Sequence, residues 1–452
     1  MLDEPKGPAF LDFPEAPPID LCEGRTYAEF AGSQLFGETP GVTQGRGDAE
    51  GEWMASTYDL IVVGGGIIGC GIAERLRGEL SRVCLIDQGP KLGLGASSAA
   101  IGGINPHLGD YCLGPLGLMA QHSRDLFPGW INRIASESGT AIPLLPTGLL
   151  QVAAGKKEWE RLADEVMPIL LARDIGAELI DGDHARALEP MLGPDVAGGV
   201  VQPRDLAVEP ALIMNGLTRI LLGDGGPDLL LSATVISVVS RRTEVVVTLA
   251  GGRVLTADRV VVAAGHLSHA LLDLPDGVFF PVKGQAMEFA SPGRGSLSIQ
   301  CDALVIADGE EHVVFALPRP DGRIAAGVTF EKGTADNVPT AEGRTSILRN
   351  LALVLPALTA MPVTRRWAGV RPGTVDAAPV LGYVDDDHRI LAATGHYGMG
   401  ITLAPVTVDL AAKLLLDLPR GHEDRHDLAI SSPGRFSGLP AARTESQNPI
   451  AH

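Results

Sequence analysis

Residues 58–69 read YDLIVVGGGIIG, and an acidic residue, Asp87, closes the next apolar run, RVCLID at 82–87. Leu60–Val63 has the composition of a buried parallel strand, and Gly64, Gly66 and Gly69 then give G-x-G-x-x-G spacing as a helix opens. The first glycine permits a tight turn, the second lets backbone approach a pyrophosphate, and the third lets helix and strand pack closely. The helix start offers unpaired N–H groups and a positive dipole end to phosphates. Asp87 follows Gly64 by 23 residues, where a carboxylate can accept hydrogen bonds from an adenosine ribose. A glycine-rich turn without a ligand would not explain that acid. The pattern predicts a dinucleotide site.

The segment GPKLGLGASSAAIGGINP at 89–106 favours FAD over NAD. A flavin must lie against backbone, and small residues with the hydroxyls of Ser97 and Ser98 suit contact with pyrophosphate and ring. Strand, helix (68–79) and strand (82–87) precede it. Downstream, the pattern predicts a strand from 148, helices near 156–173 and 209–222, and strands at about 229–239. It then predicts a 244–249/253–257 hairpin through Gly251–Gly252 and a buried strand, RVVVAAG, at 259–265. That strand ends in a glycine, Gly265, which lets the chain pass near a cofactor; Val235 is a further candidate contact. Strands separated by turns fill 280–330, helices follow at 344–355 and 401–417, and the stretch beyond Pro419 reads as a loose polar tail.

The expected fold is α/β: a Rossmann-like FAD-binding domain (56–110, 205–275 and 366–418) with an inserted, largely antiparallel-sheet substrate domain (111–204 and 276–365). Residues 1–55, rich in Pro, Gly and acids, read as a partly disordered extension, and 419–452 as a polar C-terminal tail. The net charge of −19 disfavours nucleic acid or an anionic membrane as partner. No run of 18 apolar residues predicts a membrane span. Five cysteines without a C-x-x-C pair fit a reducing cytoplasm, and no metal spacing is present.

With these segments placed, the chain resembles the D-amino-acid oxidase superfamily of FAD-dependent oxidoreductases, most closely its glycine oxidase branch. The likeness rests on GGGIIG (64–69), GASSAAIGG (95–103), PVKGQ (281–285), LPRPDGRIAAGVT (317–329), WAGVRPGT (367–374), PVLG (379–382) and TGHYGMGITLAP (394–405). It spans about 57–418. The resemblance implies noncovalent FAD and oxidation of a small amine or amino acid. A neutral substrate amine supports C–H cleavage, hydride passes to the flavin, the imine hydrolyses, and oxygen reoxidises the flavin to give hydrogen peroxide. It also implies that Arg371 pairs with a substrate carboxylate, because a guanidinium holds two carboxylate oxygens in a planar fork. Gly400 and Ile401, where the last helix begins, are candidates for backbone contact with the flavin edge.

Two departures bear on the substrate. The branch carries a tyrosine where Phe315 stands here, and its GHxRNG loop has an arginine where this chain has Gly398. Both changes point away from plain glycine. His396 in the same loop and His107 after the small-residue segment are candidates to reach the ring, with a hydrogen-bonded structural role as the alternative for each. Competing readings are an amine dehydrogenase using another electron acceptor, a flavin-binding protein with little turnover, and an NAD enzyme. A small-molecule substrate, oxygen as acceptor and a possible homo-oligomer complete the expectation.

Overall fold

The computed structural model describes residues 57–109, 113–290, 296–307 and 309–438. The 1–55 extension and the last part of the tail lie outside them. Thr57–Val63 forms the expected buried strand and pairs in parallel with Val83–Ile86 on one side and Val254–Val262 on the other. Asp228–Leu230 adds to the outer edge of Val83–Ile86. The other edge divides. The first half of Val254–Val262 takes Val245–Leu249 antiparallel, and its second half takes Ile390–Thr394 parallel. Among the described residues the sheet has eight strands.

The helices Ile67–Leu76, Pro115–Ser138, Pro210–Leu222 and Ala404–Leu415 share one buried core on this sheet. Pro210–Leu222 and Ala404–Leu415 match the sequence pattern to within a few residues at their ends. The sequence reading puts 111–204 in the substrate domain and predicts no helix over Pro115–Ser138; that 24-residue helix instead packs on the first sheet, burying Met119, Phe127 and Ile134 completely. A second, nine-stranded sheet is antiparallel apart from the parallel pairing of Gln300–Ala307 with Leu149–Ala153. Ala341–Val354 covers it, burying Ile347, Leu351 and Val354. Thr340 caps that helix by accepting from the Gly343 amide at 3.0 Å.

Three expectations are corrected. Residues 253–257 and 259–265 are not two strands; Val254–Val262 is continuous. The polar pair Asp258–Arg259 interrupts the apolar pattern at the point where the strand changes partners. The 156–173 helix contains a wide π turn over Leu162–Val166. Pro168 sits just beyond it and cannot donate to the carbonyl four residues back, which the wider turn accommodates.

The described part of the stretch beyond Pro419 is also not loose: His422–Ser431 is a helix followed by a 3₁₀ turn, Pro433–Phe436. Polar contacts hold it. Asp424 accepts from the Gly421 amide at 2.7 Å and from Lys413 Nζ at 2.8 Å, while Asp427 Oδ2 pairs with His122 Nδ1 at 2.7 Å.

The Asp427 hydrogen bond raises the pKa of His122 above its ordinary 6.5, against the opposing effect of burial. A raised folded-state pKa gives stability that is complete below the unfolded value and disappears as pH rises through the folded one. The difference in Tm between the parent and His122→Ala should therefore be largest below about pH 6.5 and shrink at more alkaline pH. A difference that is flat from acid to alkaline pH would reject this pair as the clasp on the C-terminal helix.

Candidate active site

A cavity of about 1110 Å³ runs from the glycine turn of the first sheet to the face of the second. Pockets for drug-sized ligands reach roughly 1,000 Å³, so this one has room for a dinucleotide and a small substrate together. At the first end Gly64–Gly66 lead into the helix Ile67–Leu76. Gly64 has φ +112°, and a Cβ there would lie 2.3 Å from the Ala263 carbonyl oxygen. Gly69 does not line the cavity. A Cβ on it would lie 1.9 Å from the Gly64 carbonyl oxygen, so its lack of a side chain sets how closely helix and strand approach. Gly66 differs, because a Cβ there would meet only Ser97 Oγ, at 3.2 Å.

Asp87 lies on the cavity wall with both oxygens engaged: Oδ2 accepts from the Gly65 amide at 2.6 Å and Oδ1 from the Gly89 amide at 2.7 Å. It pins the glycine turn while facing the space where a ribose would lie. Ser97 also faces the cavity, and its hydroxyl accepts from the Ile67 amide at 2.9 Å. Ser98 does not. It is on the outer side of the single turn Ala96–Ala99, exposed and donating to the Gly95 carbonyl at 3.1 Å, so only one of the two expected hydroxyls reaches the cavity. Val235, Gly265, Gly400 and Ile401 all line it. The helix expected over 401–417 begins at Ala404, three residues later, and residues 400–403 form the turn leading into it.

The fit to a flavin dinucleotide can be tested on bare backbone. A Cβ added at Gly95 or Gly265 would meet no protein atom within 4 Å, although both residues face the cavity. Together with Gly66, where a Cβ would meet only the Ser97 hydroxyl, this leaves a backbone-lined trough from the helix start toward Gly265. The residues present fit FAD.

At the other end Arg371 reaches the cavity from the strand Val363–Thr374. Nη1 donates to the Thr329 carbonyl at 3.0 Å, and the guanidinium lies 4.6 Å from the centre of the Phe330 ring. Gly284 makes room for it: a Cβ there would lie 2.2 Å from Arg371 Nη1. Phe330 in turn stacks on Tyr397, with ring centres 6.5 Å apart.

Phe315 is buried in the wall, its ring tip facing Gly103 of the small-residue segment. Gly398 also lines the cavity. His396 lines it too, but its Nε2 lies 3.0 Å from Thr407 Oγ1, and burial pushes its pKa down to about 4. The ring is neutral near neutral pH. His107 is buried outside the cavity lining, with Nδ1 2.6 Å from Arg173 Nη1. Tyr397, Phe330, Gln151, Arg161 and Asp302 were not anticipated as lining residues, and only Tyr397 lies in a segment, TGHYGMG, that the sequence marks.

A glycine-turn trough joined to an arginine-bearing chamber defines a flavin-dependent oxidoreductase. The comparisons agree. A family model, FAD dependent oxidoreductase (DAO), matches residues 59–414, and the chain belongs to that family. The glycine oxidase of Bacillus licheniformis is 30% identical over 371 residues, covering 81% of this chain and 95% of the relative. The bifunctional protein ThiO/ThiG of Synechocystis is 30% identical over 368 residues, 80% of this chain, which spans only 52% of that protein. The crystal structure of glycine oxidase from Geobacillus kaustophilus aligns with a TM-score of 0.75 at 28% identity, covering 83% of this chain and 98% of that one. The cofactor is therefore FAD.

The glycines separate two effects. Gly66→Val should fold but fail to retain FAD, since its side chain enters the trough, whereas Gly69→Ala should lower the Tm of the apoprotein by forcing helix from strand. Asp87→Ala should weaken FAD binding by roughly 1.5–3 kcal/mol, the range for a lost charge-assisted hydrogen bond. Flavin content after gel filtration and calorimetry of the apoprotein read these out, and a fully flavin-loaded Gly66→Val would reject the trough.

Proposed function

We propose that this protein oxidises the C–N bond of a small amino acid or related amine, with the substrate carboxylate held by Arg371 and oxygen as the electron acceptor. The observation that carries this reading is Arg371, placed in the same cavity as the glycine turn and set in position by Thr329, Phe330 and the space over Gly284. FAD, when bound, supplies hydride acceptance; the protein supplies positioning and a controlled field. We assign Gly64, Gly66, Asp87 and Ser97 to the dinucleotide half, and Val235, Gly265, Gly400 and Ile401 to the rest of the cofactor.

The residues act by holding the substrate. A carboxylate gripped in the planar fork of Arg371 fixes the adjoining carbon against the cofactor end of the chamber. The Phe315 ring closes one wall without offering a polar group, and Tyr397 supplies a phenol beside Phe330. His396, neutral and paired with Thr407, shapes the wall rather than moving a proton. A chamber with Phe315 and Gly398 has apolar surface and open space that glycine would not fill, which supports a larger substrate. The relatives named glycine oxidase make an oxidase the favoured form of this chemistry, in a reducing compartment where the buried Cys70, Cys84 and Cys301 stay as thiols.

Anaerobic mixing with amino acids and N-alkyl amines should bleach the flavin, and air should then restore its colour with release of peroxide. Arg371→Leu should keep the flavin spectrum yet lose about 2–5 kcal/mol of substrate recognition, roughly 30-fold to several thousand-fold in kcat/KM. Arg371→Lys should recover only part of this. Normal turnover by Arg371→Leu would mean that the substrate carries no carboxylate held there.

A further inference from the structure

The second sheet carries a row of partnered residues across adjacent strands: Gln151 pairs with Asp302, and Asp302 with Phe315. Directly partnered residues point to the same face, with Cβ atoms about 5 Å apart. All three line the cavity, so the wall continues past Phe315 into two polar side chains. Asp302 is 9% exposed and Gln151 6% exposed. The Oε1 atom of Gln151 is buried and has no hydrogen-bond partner. Arg161 lines the same region, at the last helical position before the π turn Leu162–Val166. Turns of this kind recur at functional sites because they re-aim neighbouring side chains.

A buried acceptor without a donor costs about 1–3 kcal/mol. An unpartnered buried acceptor on the cavity wall, Gln151 Oε1 beside the Asp302 carboxyl, is explained by a ligand that brings the donor. Burial also pushes the Asp302 carboxyl up to about 7, against the opposing charge of Arg161, which favours its ionised form.

We propose that Gln151 Oε1 and the Asp302 carboxyl form a second recognition point for the substrate, taking a hydrogen-bond-donating nitrogen group at the end away from the oxidised carbon. The substrate class is then an amino acid whose side chain or N-substituent ends in an amine or amide. This rests on the reading of Arg371 as the carboxylate anchor. The two poles together measure substrate length: Arg371 takes the carboxylate and the Gln151–Asp302 wall takes the distal nitrogen.

The test uses the flavin-loaded protein and needs no turnover. Straight-chain carboxylates of three to seven carbons are titrated against the flavin absorbance, each compared with its ω-amino counterpart. An apolar end wall would favour the unsubstituted acid, because burying an ammonium without a partner is unfavourable. The expected result is the reverse: at one best length the ω-amino acid binds at least tenfold more tightly. Asp302→Asn should remove most of that preference. Gln151→Met, similar in volume but without the acceptor, should reduce it in the same direction should Asp302→Asn fail to hold flavin. A parent protein that prefers the unsubstituted acid at every length, or variants that keep the full preference, would overturn the inference while leaving the oxidase reading intact. A flavin spectrum that no carboxylate perturbs would overturn both the anchor and the second recognition point. A clear length-dependent preference in a protein whose flavin no amine bleaches would instead support the recognition point and reject the oxidation.

Discussion

The close approach of Gly69 to the Gly64 carbonyl is the contact on which the rest depends. With hydrogen in place of a side chain, the helix Ile67–Leu76 settles against the strand Thr57–Val63 at a spacing that even an alanine would forbid. Gly64 in turn adopts a positive φ against the Ala263 backbone, so three chain segments converge at one point. That point lies beyond the ends of the parallel strands Thr57–Val63 and Val254–Val262, where open α/β sheets bind their ligands. The helix start there faces the trough. Widening the contact would move the helix N-terminus, the Asp87 clasp on Gly65 and the wall at Ser97 together.

A second constraint couples the two sheets. Trp367 Nε1 donates to the Ala99 carbonyl at 2.9 Å, and Gly369 passes so near Ala99 that a Cβ there would lie 2.3 Å from the alanine methyl. Arg371 is two residues further along that same strand. Its position is therefore referenced to the cofactor-facing segment 96–99 rather than to a loop. The strand also pairs over eleven positions with Phe279–Phe289, which presents Gly284 beneath the guanidinium. Rigid support of this kind is what orientation of a reacting carbon requires, because small displacements are costly in rate.

Much of the cofactor half was legible in the sequence because its residues act through backbone. Glycines, a terminal acid and a strand ending in Gly265 leave a local signature at fixed spacing, and the family motifs set Arg371 beside it. What escaped the sequence reading depends on partners far away along the chain. Gln151 meets Asp302 only through strand pairing across about 150 residues of chain, and nothing local marks the two as neighbours. Pro115–Ser138 carries Pro128 and a mixed pattern that obscures a helix whose buried stripe is complete only once the core is assembled. His422–Ser431 looks like a solvated tail because its anchors are Asp424 and Asp427, and hydrophobic periodicity cannot detect a helix held by Lys413 and His122. Ser98 differs for a local reason: on the single turn Ala96–Ala99 the Ser97 side chain is buried and lines the cavity, while Ser98 is exposed to solvent.

The charges explain how the chamber could favour oxidation without a protein base. His396 lies in the loop that leads toward Ala404–Leu415, and burial keeps it neutral near neutral pH. It can neither repel the guanidinium of Arg371 nor offset negative charge arising on the cofactor. On the proposed function that second task would fall to the turn at 400–403 and the N-terminal end of Ala404–Leu415, whose dipole is fixed in direction and does not depend on pH. Positive charge at the substrate end comes from Arg371, held against the quadrupole of Phe330 and the Thr329 carbonyl. Both contacts stabilise the cation and restrict its rotation before any carboxylate arrives. The reorganisation that would otherwise accompany binding is thereby made in the folding of the protein, and the substrate meets a field already aligned to its charge.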